Sequence, residues 1–396
     1  MKLNSIATSL KEVLPIKPEG ATRLLVVSDV HLGHSRVKTD YVVTSFLEYI
    51  LSPVTLASID AILITGDLFD KLLNLPVPAV RYIHRFIHEF LKRCAQYNVA
   101  IRILEGTPGH DWGQSKTIID INETYKLNAD VLYVDGMDII EDETLGLTIG
   151  YVQDEYRETV ERTTVEMEEL LTTRGFSQVD IMLMHGQFDF QVPKGVAGVF
   201  DSEKWSEWAR YGIFIGHNHT HRSHLNIVVP GSLERLAHNE EGPKGFIIAD
   251  IVNGRMTTHF IKNERSMLFR TVGGLEATDV EIVAAAEKAL EEMYVREDCY
   301  RLGFLKVKHN EEYDFSTKLK EWRAEYPDVL IESEKVKPKT LVELLVEDDK
   351  FTMDDNVLNI DRENVEGMIL RESEECDVDP ALLSKEIAMI LSGMKT

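Results

Sequence analysis

Cysteine is scarce: the 396 residues contain three, Cys94, Cys299 and Cys376. An odd number so widely spaced builds neither a disulfide framework nor a thiolate zinc site, and a reducing cytoplasm is the expected setting. Long apolar runs are also missing, since no segment approaches the roughly 18 residues that a membrane span requires. The opening stretch, MKLNSIATSLKEVLPIKPEG, is polar and lacks the apolar centre of a signal peptide. A soluble protein that is not exported and has no membrane partner is expected. Positive charge is in deficit, 43 Lys and Arg against 67 Asp and Glu, net -24. The overall field therefore repels polyanions, and a nucleic-acid partner has to be held by a local basic patch. No internal repeat or low-complexity segment occurs. What remains is globular composition, 44% hydrophobic and 28% charged, with length for a large domain and a smaller one.

The first 275 residues alternate short apolar runs with amphipathic stretches. RLLVVSD (23–29), AILITGD (61–67), VAIRILEG (99–106), DIMLMHG (180–186) and GIFIGH (212–217) each read as a buried strand that ends in Asp, Gly or His. Val80, Ile83, Phe86, Ile87, Phe90 and Leu91 repeat at helical spacing, which predicts a core-packed helix. A further helix is expected over 155–174 and strands over 224–229, 245–251 and 256–262. From residue 276 the order becomes helix 277–292, strand CYRLGFLKV, helix 315–326 and strand VLIES. The segment from 276 onward carries 31 acidic and 16 basic residues. The reading divides the chain into an N-terminal extension (1–21), a main domain (22–270), a small α/β cap (276–335) and an acidic helical tail (336–396). The tail closes on an amphipathic helix over 380–394, with Leu382, Leu383, Ile387, Ile390, Leu391 and Met394 on one face.

Five motifs sit where strands stop: Asp29-Val30-His31, Gly66-Asp67, His110-Asp111, His185-Gly186 and Gly216-His217-Asn218-His219. Singly, each suits a turn or a buried polar residue. Together they follow the rule that open α/β sheets bind ligands beyond the carboxyl ends of their strands, and they can converge on one site. Asp and His without Cys suit manganese, iron or zinc. In HNHTHRSH a continued strand would place His217, His219 and His221 on one face. Trp205 and Trp208, three apart, read as packing residues.

This order of motifs resembles the calcineurin-like metallophosphoesterases. DVHLGH, GDLFDKL and the G-H-x-H followed by VPGSLERLAH are similar to the SbcD-type nuclease subunit of double-strand-break repair complexes, bacterial or phage. The resemblance covers about residues 22 to 265. It implies a two-sheet α/β/β/α sandwich and two divalent ions, manganese first, with magnesium, iron or zinc as alternatives. Asp29, His31, Asp67 and His219 would hold one ion; Asp67 as a bridge, His185 and His217 would hold the other. It further implies that His110 handles charge or protons with Asp111 orienting it, and that Asp70 lies behind. One position departs: in EGTPGHDW the family's metal-binding Asn is Gly109, which leaves water, the Thr107 hydroxyl or another group to fill the place.

Arg36, Arg222 and Arg235, with Lys38, Lys71, Lys116 and Lys194, are candidates for a local phosphate-binding surface. The resemblance implies DNA as substrate, a homodimer, and an SbcC-like coiled-coil ATPase on which the final helix docks. The alternatives are a stand-alone phosphodiesterase or phosphatase, and a recombination scaffold weakened at Gly109.

Overall fold

The computed structural model describes residues 10, 12–35, 37–73, 78–237, 240–294, 303–327 and 329–337. Arg36, Cys299, Cys376, the tail beyond residue 337 and the expected docking helix over 380–394 lie outside them. Two compact units divide the chain, Met1–Val272 with Ala284–Val307 and Ser316–Glu332, and Gly273–Val283 with Lys308–Phe315 and Ser333–Thr396.

The larger unit contains two six-stranded sheets. In the first, β1 (Thr22–Val27), β2 (Ala61–Thr65), β3 (Ala100–Leu104) and β4 (Val131–Val134) run parallel, and β11 (Gly245–Val252) and β12 (Arg255–Lys262) extend the β1 edge antiparallel. In the second, β6 (Leu147–Val152), β7 (Val179–His185), β8 (Ala209–Gly216) and β10 (Ile227–Val229) run parallel, flanked by β5 (Met137–Asp142) and β9 (Arg222–His224).

Both faces of each sheet are covered, which is why the central strands read as continuous apolar runs. Leu24, Val26, Leu63 and Leu104 of the first sheet pack on Ile149, Ile181, Leu183 and Phe214 of the second. The other face of the first sheet, through Leu25, Val27 and Ile64, meets Ile83, Phe86, Ile87 and Phe90 of the helix Pro78–Tyr97. Behind the second sheet, Met182, Met184 and Ile213 pack on Met167 and Leu171 of the helix Val160–Arg174, with Trp205 buried beside them. The result is the expected four-layer α/β/β/α order. On the helix-covered face of the first sheet the buried guanidinium of Arg23 meets Asp250 through two bonds of 2.6 and 2.7 Å, so that pair leaves no orphaned charge.

The expected helix over 155–174 begins at Val160 because the Thr159 hydroxyl accepts from the Arg162 N–H at 3.2 Å and caps it. The single strand expected over 224–229 is instead the hairpin β9–β10, paired His224 to Ile227. Past the sandwich, the helices Asp279–Tyr294 and Ser316–Glu325 alternate with β13 (Leu268–Gly273), β14 (Gly303–His309) and β15 (Val329–Lys335), which form a third sheet. In the smaller unit the Val336 N–H donates to the His309 carbonyl at 2.8 Å and the His309 ring lies 4.9 Å from Phe315. Among the described residues no helix is long and apolar enough to cross a membrane.

Candidate metal centre

Parallel strands that start from one side deliver their last residues to the other, and here six of them do so around one point. β1 leads into Asp29 and His31, β2 into Asp67, β3 into the short helix Pro108–Asp111 that bears His110, β6 into Asp154, β7 ends on His185, and β8 leads into His217 and His219. The backbone turns sharply at these exits: φ is +49° at Asp29, +51° at His31, +49° at Asp67 and +89° at His217. Such left-handed conformations are costly for side chains other than glycine and cluster at functional sites. Gly66 and Gly216 keep the exits close, since a Cβ at either would collide with the His185 ring.

Three overlapping groups of potential ligands result, Asp29/His31/His219, His31/Asp67/His110 and Asp67/His185/His217, each with its donor atoms within 4.8 Å of one another. In the first, the Nε2 atoms of His31 and His219 lie 3.2 Å apart and His219 Nε2 is 3.7 Å from Asp29 Oδ1. Donors about 2.1 Å from a shared cation stand roughly 3.0–3.4 Å apart, so the imidazole spacing is that of neighbours around one ion. Asp29 is fully buried and accepts the His217 N–H at 3.0 Å, which fixes its carboxylate. In the third group His185 Nδ1 bonds to the Thr65 carbonyl at 2.7 Å, so Nδ1 carries the hydrogen and Nε2 points inward, 3.3 Å from Asp67 Oδ2. Among the described residues Nε2 of this buried ring has no hydrogen-bond partner. An orphaned buried imidazole nitrogen facing a carboxylate oxygen, in a set of oxygen and nitrogen donors without sulfur, fits a divalent cation.

Asp67 joins the groups. The same Oδ2 is 3.3 Å from His185 Nε2 and 3.8 Å from His31 Nε2, while Oδ1 accepts the Thr107 N–H at 2.8 Å. Burial works against its charge, but His185 and His31 hold the carboxyl well below its ordinary range. Conversely, burial disfavours charge on His185, and the carboxylates of Asp67, Asp29 and Asp154 overcome this and raise it to about 10.

Two residues of the centre went unnoticed in the sequence. Glu240 Oε1 accepts from His219 Nδ1 at 2.8 Å, which turns Nε2 toward Asp29, and its other oxygen accepts from the buried Lys244 ammonium at 2.6 Å. Burial opposes the Glu240 charge, but His219 and Lys244 bring its carboxyl down to about 2. Asp154 Oδ2 lies 3.3 Å from His217 Nδ1 and accepts from the Thr107 hydroxyl at 3.2 Å. Asp154 follows β6 as Asp29 and Asp67 follow their strands, but Thr148 and Gly150 in LTIGYVQD keep that stretch from reading as a clean apolar run.

His110 lies edge-on to His31, ring centres 5.0 Å apart, and its Nδ1 meets the Asp70 carbonyl at 2.7 Å. Orientation of His110 therefore comes from the Asp70 backbone rather than from Asp111. The Asp111 carboxylate turns to the other side of the short helix, is buried, and accepts the N–H groups of Phe69 and Gly106 at 2.7 and 2.8 Å. Burial, with Glu105 and Asp67 nearby, raises it well above the carboxylate norm. The Asp70 carboxylate stands 3.3 Å from His31 Nδ1 and 3.9 Å from His34 Nε2.

Of the candidate phosphate-binding arginines, Arg222 is exposed on β9. Arg235 corrects the expectation: its guanidinium is buried and donates to Ser266 Oγ and to the carbonyls of Met267, Glu241 and Gly242. It ties together a turn and is not presented to a phosphate. The chain leaves β8 at Gly216 and re-enters a strand only at Arg222, so His217, His219 and His221 do not alternate as in a strand. His221 instead stacks on Phe260, ring centres 4.4 Å apart, and bonds to the Val229 carbonyl at 2.7 Å. His224 leans on Phe190 at 4.8 Å.

The chain matches no protein-family model and no curated protein. Among solved structures, that of TT1561 of Thermus thermophilus aligns at a TM-score of 0.37 with 12% identity, over 61% of this chain and 99% of its own. A second aligns at 0.35 with 12% identity over the same shares.

Proposed function

We propose that the chain is a metallophosphoesterase that hydrolyses phosphodiester bonds with two divalent cations, manganese first, and that it serves as the DNA nuclease subunit of an SbcC/SbcD-like repair or recombination complex. The observation that carries the first half is Asp67, whose single Oδ2 faces both His31 and His185 and so suits a ligand shared by two ions. Asp29, His31, Asp67 and His219 would hold one ion; Asp67, His185 and His217 would hold the other. Cations held there would neutralise the charge of a phosphodiester and would lower the pKa of a bound water.

The protein's own groups supply the rest. Nδ1 of His110 is committed to the Asp70 carbonyl, so Nε2 is the atom that can carry a proton to a leaving oxygen. Glu240 keeps His219 in the tautomer whose Nε2 faces Asp29. The second half rests on the sequence resemblance, which implies DNA, a homodimer, the coiled-coil ATPase and a cytoplasmic setting. The test is hydrolysis, with manganese, of single- and double-stranded DNA and of bis(p-nitrophenyl) phosphate by the full-length protein, with and without an ATPase encoded beside it. Manganese-dependent cleavage of DNA, increased by that ATPase, is expected. Cleavage of the small diester alone would make it a stand-alone phosphodiesterase, and no cleavage of either would overturn the reading.

A further inference from the structure

Resting on the two-cation reading, we infer that Asp154 supplies the oxygen ligand of the second cation, in the place that Gly109 leaves without a side chain. Asp67, His185 and His217 offer three donors, which leaves a cation such as manganese room for a further oxygen ligand. Gly109 itself has no donor, and a Cβ built there would meet nothing within 4 Å. On the other flank stands a carboxylate. Asp154 Oδ2 is 3.3 Å from His217 Nδ1, the same separation as Asp67 Oδ2 from His185 Nε2. That distance falls within the roughly 3.0–3.4 Å between neighbouring ligands of one ion.

Three further features hold Asp154 in place. The Thr107 hydroxyl spans the two carboxylates, 3.2 Å from Asp154 Oδ2 and 3.4 Å from Asp67 Oδ2. The Glu155 N–H donates to Asp154 Oδ1 at 3.0 Å. Gly186, directly after His185, leaves room for the carboxylate, since a Cβ there would come within 3.2 Å of Asp154 Oδ1. The unpartnered Nε2 of the buried His185 belongs to the group Asp67/His185/His217, which Asp154 adjoins through His217. An acid in place of the neutral amide also changes the chemistry: the second cation meets two carboxylates, Asp67 and Asp154, instead of one. Thr107 then acts as the clip that sets their spacing, and is not itself the replacement ligand.

Calorimetric titration of the full-length protein with manganese, read alongside electron paramagnetic resonance of the bound ion, tests this. The wild-type protein is expected to take up two ions. Asp154→Ala, with circular dichroism unchanged, is expected to keep one and to bind the other more than about 100-fold more weakly, beyond the upper end of what losing an outer partner costs. Asp154→Asn, which keeps an oxygen but loses the charge, is expected to fall between the two. Two ions bound by the Ala variant as tightly as by wild type would overturn the inference. So would an Asn variant equal to wild type beside a deficient Ala variant, because Asp154 would then act only by accepting a hydrogen bond from His217. A wild-type protein that binds no manganese at all would instead sink the two-cation reading, and the inference with it.

Discussion

The two large sheets bring unlike chemistry to the place where they meet. Beyond the ends of β1, β2 and β3, the first supplies Asp29, Asp67, His31 and His110; beyond β6, β7 and β8, the second supplies Asp154, His185, His217 and His219. The closest contacts cross between them: Asp29 with the His217 N–H, Asp67 with His185, and His31 with His219. Neither sheet assembles a complete ligand set alone. The spacing of the site is therefore set by the apolar layer between the sheets, where residues such as Leu63 and Leu183 fix the separation. The Asp67 carboxylate of one side stands against the His185 imidazole of the other.

The largest break in this comparison is expected from Asp67→Asn. It removes the one carboxylate of the first sheet that faces both halves, and manganese-dependent hydrolysis of bis(p-nitrophenyl) phosphate should fall to background with circular dichroism unchanged. Activity near wild type would end the shared-ligand assignment. His110→Ala should bind manganese as the wild type does while losing roughly 10²- to 10⁴-fold in turnover, the range for a group that handles protons. Metal content and rate measured on one preparation decide it, and parallel loss of both would make His110 a ligand.

A smaller effect is expected on the second sheet's side. Glu240→Gln leaves an acceptor for His219 but removes the charge, and should weaken manganese about 10-fold in a calorimetric titration. Unchanged affinity would show that the Glu240 charge, as distinct from the acceptor it offers His219, does not contribute.

Glu234 separates the scaffold from the site. It is fully buried; burial raises its carboxyl to about 7, against bonds from Ser45, Met267 and Asn263. Because the folded form holds this proton more tightly than the unfolded chain, stability is greatest below the ordinary 4.5 and declines as pH rises from there through about 7. The decline amounts to at most roughly 3 kcal/mol. Urea unfolding of the cation-free protein across that interval should show the slope, and Glu234→Gln should remove it. A variant with the wild-type slope would assign it to other groups.

The smallest effect is expected from Gly109→Asn. Its φ is not among the positive ones and its surroundings are open, so the variant should fold and need the same manganese within about twofold. A clear drop in the requirement would mean that Asp154 does not fill the position.

Much of this arrangement was legible because a strand buried on both faces is an apolar run, and the residue that stops the run is the one brought to the site. Asp29, Asp67 and His185 were visible in that way. Asp154 was hidden because its strand contains Thr148 and Gly150 and follows the half-polar β5, MDIIED, so no clean run announced it. Glu240 reaches His219 from an irregular segment 21 residues on, which no periodicity marks. Arg235 misled because a charged residue in a loop reads as exposed, and its four acceptors come from turns that only the fold brings together.

The left-handed backbone at Asp29, His31, Asp67 and His217 also bears on how such a chain can change. Each of these turns withholds on the order of 1 kcal/mol from the native state, and the rest of the sandwich must supply the rigidity that keeps them. Mutational drift that weakens the core would let those turns relax before the sheets themselves melt. Selection for cation binding thus acts indirectly on aliphatic residues that never approach an ion, and screening for thermal tolerance alone would tend to discard the ligands first.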